Sequence, residues 1–380
     1  MAQSQGFRIG RVIGIPIYID FSWIVIFSLI TYWIEQQFHH DHPLWTTPQL
    51  WGLGILTSLL FFGSVLFHEL AHSVIAQYYK LKVISITLFI FGGLARISRE
   101  PAKASQEFNI AIAGPIASFF LAGTFFLVAL FFPQSQMIVS AANYLWPTNL
   151  GLAVFNLLPG FPLDGGRMFR AIVWAITKDF SKATRIAGGS GKLIAYAMIL
   201  LGLISIFTGN WRGMWAGLVG WFLLNAAYAS VQQVTIRETL TGLTAADVMS
   251  NEVPTIPGNM SLDEYTREVL RTGRRVHIVT SDDRLVGLMN VAALNTVPRD
   301  EWDMNSVQAA MVPREKILWA SPDEPLQRLL ERLMAADVNQ MPVVMHGEDG
   351  AANIGGMVTR DAILRVIQTR SELGASLASR

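Results

Sequence analysis

Residues 51–67 (WGLGILTSLLFFGSVLF) carry no charged side chain, and His68-Glu69-Leu70-Ala71-His72 follows without a break. Such a run, rising about 1.5 Å per residue as a helix, is matched to a bilayer whose hydrocarbon core is about 30 Å thick. Backbone exposed to lipid must satisfy its own hydrogen bonds, so a helix is the form that this stretch can take there. Histidines four residues apart then share one helix face, about 40° apart around the axis. In the pattern H-E-x-x-H both imidazoles can grip one metal ion. Glu69 sits one step round, where a carboxylate can reach water at the metal without being a ligand. Ionisable groups at this depth are costly unless they face a protein interior and have partners. The stretch therefore demands a polar, metal-holding pocket inside a membrane helix, and the rest of the chain must supply it.

Composition agrees: 52% of the 380 residues are hydrophobic and only 15% are charged. That combination excludes a disordered chain and an ordinary soluble domain, and implies an integral membrane protein. The net charge of +1 hides an asymmetry. Residues 1–232 carry 14 Lys and Arg against 8 Asp and Glu, whereas residues 233–380 carry 15 against 20. An apolar basic block followed by an acidic charged one reads as two domains. With no cysteine, disulfides, thiolate metal sites and a cysteine nucleophile are excluded. The N-terminus leads through Arg8 and Arg11 into an apolar run with no small-residue cleavage site, so no cleavable signal peptide is expected. Neither half carries a Lys/Arg stripe of the kind that binds nucleic acid.

Hydropathy predicts about six transmembrane helices, near residues 17–34, 51–79, 108–132, 138–158, 193–207 and 214–231. The loop between the first two has no Lys or Arg. The next basic stretches are Lys80 to Lys103 and Arg167 to Lys192. Basic loops stay on the cytoplasmic side, which puts the N-terminus, the metal motif's end of the second span and the C-terminal domain there. Residues 81–99, rich in β-branched side chains and turning near Gly92-Gly93, read as a small β element. It is either a structural hairpin or an exposed strand edge that lines an extended substrate beside the metal.

The polar part looks like one unit written twice, residues 244–300 and 301–380, after a linker at 233–243. Each copy has a lead-in, an amphipathic helix, two strands and a final helix. The pairs Met249/Met311, Val276/Pro342 and Gly287/Gly356 keep similar spacing.

Two histidines are an incomplete catalytic metal site, which commonly has three protein ligands and an open position. Among the few acids of the apolar half, Asp164 stands out. It lies in NLLPGFPLDGG, Asn156 to Gly166, where two prolines and three glycines break the helix. Broken helices at membrane depth are tolerated where they line a polar cavity. The break can aim Asp164 at the metal, or Asp164 can cap the following helix, GGRMFRAIVWAI. Residue type and spacing leave both open. His39, His40 and His42 cluster in the first loop and read as a solvated interfacial segment.

Together, HELAH in a membrane helix, FGG downstream, Ala113-Gly114-Pro115 and NLLPGFPLDGGR resemble the site-2 protease family of intramembrane zinc metalloproteases. The last third resembles a pair of cystathionine-β-synthase-type (CBS) domains, and a branch of the family carries such a pair. The resemblance implies a polytopic α-helical membrane domain joined to a cytosolic α/β CBS pair, in the cell's inner or plasma membrane. It implies one zinc ion per chain held by His68, His72 and Asp164, with Glu69 as the catalytic base. It also implies a polar substrate or oxyanion contact at Asn156 and a transmembrane protein as substrate, whose unwound segment the Gly92-Gly93 strand could hold. For the CBS pair it implies an adenine nucleotide at Thr359 and Asp361, and homodimerisation. Both copies depart from the family's nucleotide signature. Asn290 and Ala293 stand at the hydroxyl and Asp positions of the first copy, and Ala362 at the Asp position of the second, with Asp361 one place early. Two rivals to a protease are a transporter or ion-binding protein gated by CBS domains, and an inactive relative that binds membrane proteins. No inverted repeat, the hallmark of many transporters, is visible in the six spans.

Overall fold

A computed structural model describes residues 6–210, 213–281, 284–346 and 352–378. The chain divides into two compact units between Thr235 and Ile236.

The first unit opens with an element that hydropathy did not predict. Strands β1 (Gly6–Val12) and β2 (Ile15–Asp20) form a hairpin, and helix α1 (Phe21–Asp41) follows directly. The Asp20 side chain caps α1 by accepting the Ser22 N–H at 2.9 Å. Helix α2 (Thr47–Tyr78) starts at a capping box formed by Thr46 and Gln49, with a proline in its first turn. Its 32 residues rise about 48 Å, more than a bilayer core requires.

Strands β3 (Val83–Phe89) and β4 (Gly92–Ile97) come next, as the β-branched stretch predicts. They pair antiparallel, with Phe89 opposite Gly92. The two-residue turn leaves Gly92 at φ +133°, a conformation that a residue with a Cβ adopts only under strain. The sheet order is β1-β2-β3-β4, with β2 and β3 parallel, so β1 and β4 are its edges. One face of the sheet, through Ile15, Ile17, Val83 and Ile86, packs with Ala76 of α2 and Ile110 of the next helix in a single core. The sheet is thereby fixed against the half of α2 that holds His68 and His72.

Helices α3 (Ala104–Phe131), α4 (Gln136–Asn156), α5 (Asp164–Thr177), α6 (Phe180–Phe207) and α7 (Gly213–Leu240) complete the sequence. Helices thus form at all six expected positions. Four of them, α2, α3, α6 and α7, are long and apolar enough to cross a membrane. Helices α1 and α4, 21 residues each, reach about 31 Å. Large apolar side chains such as Phe120, Leu201 and Phe207 stand 63–88% exposed, which fits lipid contact. Helix α6 begins well before the apolar run at 193, capped by Asp179 on the Lys182 N–H. Helix α7 runs through part of the expected linker and ends at Leu240.

In the second unit, β5 (Thr255–Pro257), α8 (Leu262–Thr272), β6 (Val276–Ser281), β7 (Arg284–Asn290), α9 (Val307–Ala310) and β8 (Val312–Pro313) precede α10 (Leu326–Ala335), β9 (Gln340–His346), β10 (Ala352–Thr359) and α11 (Arg360–Ala378). The first sheet runs β5-β6-β7-β8, and β9 pairs antiparallel with β10. The two copies exchange their lead-ins. Val312 and Pro313, which open the second copy, pair with Leu288 and Gly287 of the first. Ser250, which opens the first, bridges Met357 of the second. Close packing repeats too: a Cβ on Gly287 would meet the Met311 side chain, and one on Gly356 would lie 3.0 Å from the Met249 sulfur. The spacing of those two Met/Gly pairs therefore records a physical contact between the copies.

Candidate metal centre

Two helices and one helix start converge on a point in the first unit. On α2, His68 and His72 are each 4% exposed. The chain breaks after α4, and residues 157–163 turn so that Leu163 occupies the N-cap of α5 and Asp164 its first helical position. Asp164 is therefore not the cap, and its carboxylate is free to reach across to α2. Asp164 Oδ2 lies 3.0 Å from His68 Nε2 and 3.1 Å from His72 Nε2, and the two Nε2 atoms are 3.1 Å apart. Among the described residues, this is the one cluster of three or more His, Cys, Asp or Glu side chains arranged to hold a metal ion.

The far side of each imidazole explains why these atoms face inward. His72 Nδ1 lies 2.6 Å from the Ile110 carbonyl oxygen, which only accepts, so Nδ1 carries the proton and a neutral ring presents a lone pair at Nε2. His68 Nδ1 meets the Ser118 hydroxyl at 2.9 Å. Both partners sit on α3. Outer hydrogen bonds of this kind fix tautomer and ring orientation at metal sites. Nε2, Nε2 and a carboxylate oxygen then lie together in a buried place, three ligand atoms that one shared cation, or a proton on His68 Nε2, holds together. Bonds of about 2.0–2.2 Å to a tetrahedral zinc set ligand atoms roughly 3.3–3.5 Å apart, within a few tenths of an ångström of what is seen. The donor set, two imidazoles and one carboxylate with a fourth direction left, suits a catalytic zinc.

Helix α3 also forms the back wall. A Cβ on Gly114 would overlap Nε2 of both histidines, so only glycine admits the pair. The Glu69 side chain is half-buried against β4. A Cβ on Gly93 would lie 3.0 Å from its carboxyl carbon and 3.1 Å from Oε1. The carboxylate next to the metal ligands thus lies against the backbone of an edge strand.

The other candidates are placed as follows. Asn156 ends α4, half-buried, with its Nδ2 donating to the Leu152 carbonyl at 3.1 Å, and is not part of the ligand cluster. His42 is tied to Ser140 by 2.7 Å and stacks on Trp45. In the second unit, the Thr359 hydroxyl accepts the Ala362 N–H at 3.0 Å, as Asn290 Oδ1 accepts that of Ala293 at 2.8 Å. Asp361 is exposed in the first turn of α11. Sequence reasoning missed Ser118 and the Ile110 carbonyl. A polar residue on the same α3 stripe as Gly114, in an otherwise apolar helix, was the available signal.

Comparison with known proteins gives the family. The model for peptidase family M50 matches residues 56–146 and 134–205, and the CBS domain model matches residues 309–369. The chain is 31% identical over 375 residues to sll0528 of Synechocystis sp., a protein assigned as a zinc metalloprotease, covering 96% of each chain. It is 27% identical to zinc metalloprotease MJ0392 of Methanocaldococcus jannaschii, covering 97% of this chain and 99% of that one. Among solved structures, the site-2 protease from Methanocaldococcus jannaschii aligns over 60% of this chain and 95% of its own, with 30% identity and a TM-score of 0.43. The chain therefore belongs to peptidase family M50, the site-2 protease family of zinc metalloproteases, and carries a C-terminal CBS domain.

Proposed function

We propose that this zinc metalloprotease is an intramembrane endopeptidase that hydrolyses transmembrane protein substrates near the cytoplasmic face of the cell's inner or plasma membrane. One observation carries the reading: the Glu69 carboxylate, one residue from a metal ligand, lies against Gly93 of the edge strand β4. A substrate helix satisfies its own backbone and must unwind before attack. An open strand edge offers the unwound segment replacement hydrogen bonds, and here that edge runs beside a carboxylate and a metal centre.

His68 and His72 through Nε2 and Asp164 through Oδ2 would hold the zinc. A zinc ion bound there would supply Lewis acidity, polarising a carbonyl and acidifying water. Glu69 takes the proton from the attacking water and hands it to the leaving amine. The wall at Gly114 closes one side, so substrate approaches from the Glu69 side. Asn156, at the mouth of the broken helix, supplies a polar contact to the substrate.

The cytoplasmic orientation rests on the Lys80–Lys103 and Arg167–Lys192 basic stretches. The CBS pair serves as the regulatory unit, binding an adenine nucleotide near Thr359 and Asp361 and pairing two chains. Melting of the full chain with and without ATP or AMP tests the nucleotide: an unchanged midpoint at millimolar nucleotide rules it out.

The central test is co-expression with single-span membrane proteins, comparing wild type with Glu69→Gln. The variant is expected to accumulate uncleaved substrate while still holding one zinc per chain. Normal cleavage by Glu69→Gln would sink the mechanism.

A further inference from the structure

One face of α3 does more than line the pocket. Glu107, Ala111, Gly114 and Ser118 repeat at intervals of four, three and four, which places them on one helical stripe. All four are buried. Ser118, Gly114 and the carbonyl of neighbouring Ile110 fit around the two imidazoles of α2, as described above. Glu107 occupies the N-terminal end of the stripe and reaches α5 instead.

There it meets Arg170, which is 6% exposed, while Glu107 is fully buried. Arg170 Nε donates to Glu107 Oε1 at 2.7 Å, and Nη2 donates to the same oxygen. Nη1 contacts the Thr184 hydroxyl of α6 at 3.5 Å. The guanidinium lies 4.7 Å from the Phe161 ring centre and 4.6 Å from that of Phe180. Phe161 is in the loop that precedes Asp164, and its backbone N–H donates to the Ala187 carbonyl of α6 at 3.2 Å. Asp164 is thus bracketed. Upstream, Phe161 stacks on Arg170. Downstream, Arg170 itself is fastened to the helix that orients the histidines, about 9 Å along α5.

A buried ion pair is a poor device for stability alone, because desolvating both charges offsets much of their attraction. Two donors of a planar guanidinium fork converging on Glu107 Oε1, with Oε2 left without a partner among the described residues, instead fix one helix against another by direction. We propose that Glu107 and Arg170 are positioning residues that hold Asp164 in register with His68 and His72. The third metal ligand is on a short helix after a broken one, whose first turn packs through Gly165 and Gly166 against the backbone of residues 157–161. Both ligand-bearing helices are also referenced to one stripe of α3. This inference rests on the metal-centre reading above.

The test uses the full-length chain in detergent and two variants. Arg170→Lys keeps the charge and loses the fork. The double variant Glu107→Gln with Arg170→Met removes both charges, so that neither is left buried and unpaired. Zinc affinity is measured by chelator competition, cleavage of a membrane substrate is measured across a zinc titration, and thermal melting of the zinc-free protein reports the fold. Expected is a cooperative melt in both, zinc affinity weakened by about tenfold to a hundredfold in the double variant and less in Arg170→Lys. Lost cleavage should return at saturating zinc. Affinity within twofold of wild type in the variants that fold overturns the proposal, as does a cleavage loss that saturating zinc leaves unchanged. If the double variant fails to fold, Arg170→Lys alone decides. A wild-type chain that binds no zinc would instead bring down the metal-centre reading, and this proposal with it.

Discussion

The metal centre and the CBS unit both place polar side chains at the starts of helices, and they use them in opposite ways. At α5 the cap position falls to Leu163, and Asp164, one residue later, turns its carboxylate away from its own helix toward α2. In the second unit Asn290 and Thr359 spend their side chains locally, each accepting a backbone N–H three residues on. A side chain consumed by its own helix end adds stability there. A side chain released from that duty can do chemistry elsewhere. The difference predicts that substitutions in the first unit will change zinc binding and turnover, and that those in the second will change melting.

The largest effect is expected at the back wall. Gly114→Ala puts a methyl group where both Nε2 atoms lie, and should weaken zinc binding by more than about a hundredfold with loss of cleavage, read by metal analysis of purified protein. Retained zinc would show that α3 can step aside. Ser118→Ala removes the hydroxyl that orients His68, and zinc affinity should drop about tenfold or more, measured by chelator competition. Gly93→Ala presses on the Glu69 carboxylate without touching a ligand. Turnover should fall by about tenfold with zinc content unchanged, which separates base from metal. On the other side of the comparison, Thr359→Ala should lower the stability of the CBS unit by about 1 kcal/mol and leave zinc untouched.

The smallest effect is a pH dependence in the second unit. His277 is 2% exposed, and its ring meets that of Tyr265 edge-on at 5.4 Å. Burial holds its pKa below the ordinary 6.5, and Glu268 and Arg274 act on it in opposite directions. The unfolded chain then binds the proton first, so stability is full above about 6.5 and is lost as the pH falls below it. A melting midpoint for this unit that drops between pH 7 and pH 5, and drops less in His277→Gln, would bear this out. Equal slopes would assign the drop to other groups.

The pairing of His68 with His72 on one buried helix face was legible because the laws that govern it are local: H-E-x-x-H needs only a helix, and a membrane makes stray ionisable groups expensive. The choice between ligand and cap for Asp164 was not. It depends on how residues 157–163 fold against α6, which spacing along the chain does not encode. The β1–β2 hairpin escaped notice for a different reason. Nearly all of β1 is exposed on both faces, so no inside-outside alternation marks it. The start of α6 was hidden because Lys182, Arg185 and Lys192 interrupt the hydropathy that would announce a span. In the CBS unit the repeated Met/Gly spacing was visible, but not that each copy's methionine serves the other copy's glycine.

That exchange bears on how the protein is made. Neither sheet of the CBS unit can be finished by its own copy: Leu288 waits for Val312, and Ser250 waits for Met357. Closing a contact as far apart in sequence as Ser250 and Met357 is slow compared with forming local helices. During synthesis the first copy therefore emerges with the edge of β7 open until residues 312–313 follow, while Ser250 stays unbridged until Met357 has been made. A truncation after residue 300 would leave that edge permanently unpaired, a template for aggregation rather than a half-sized domain.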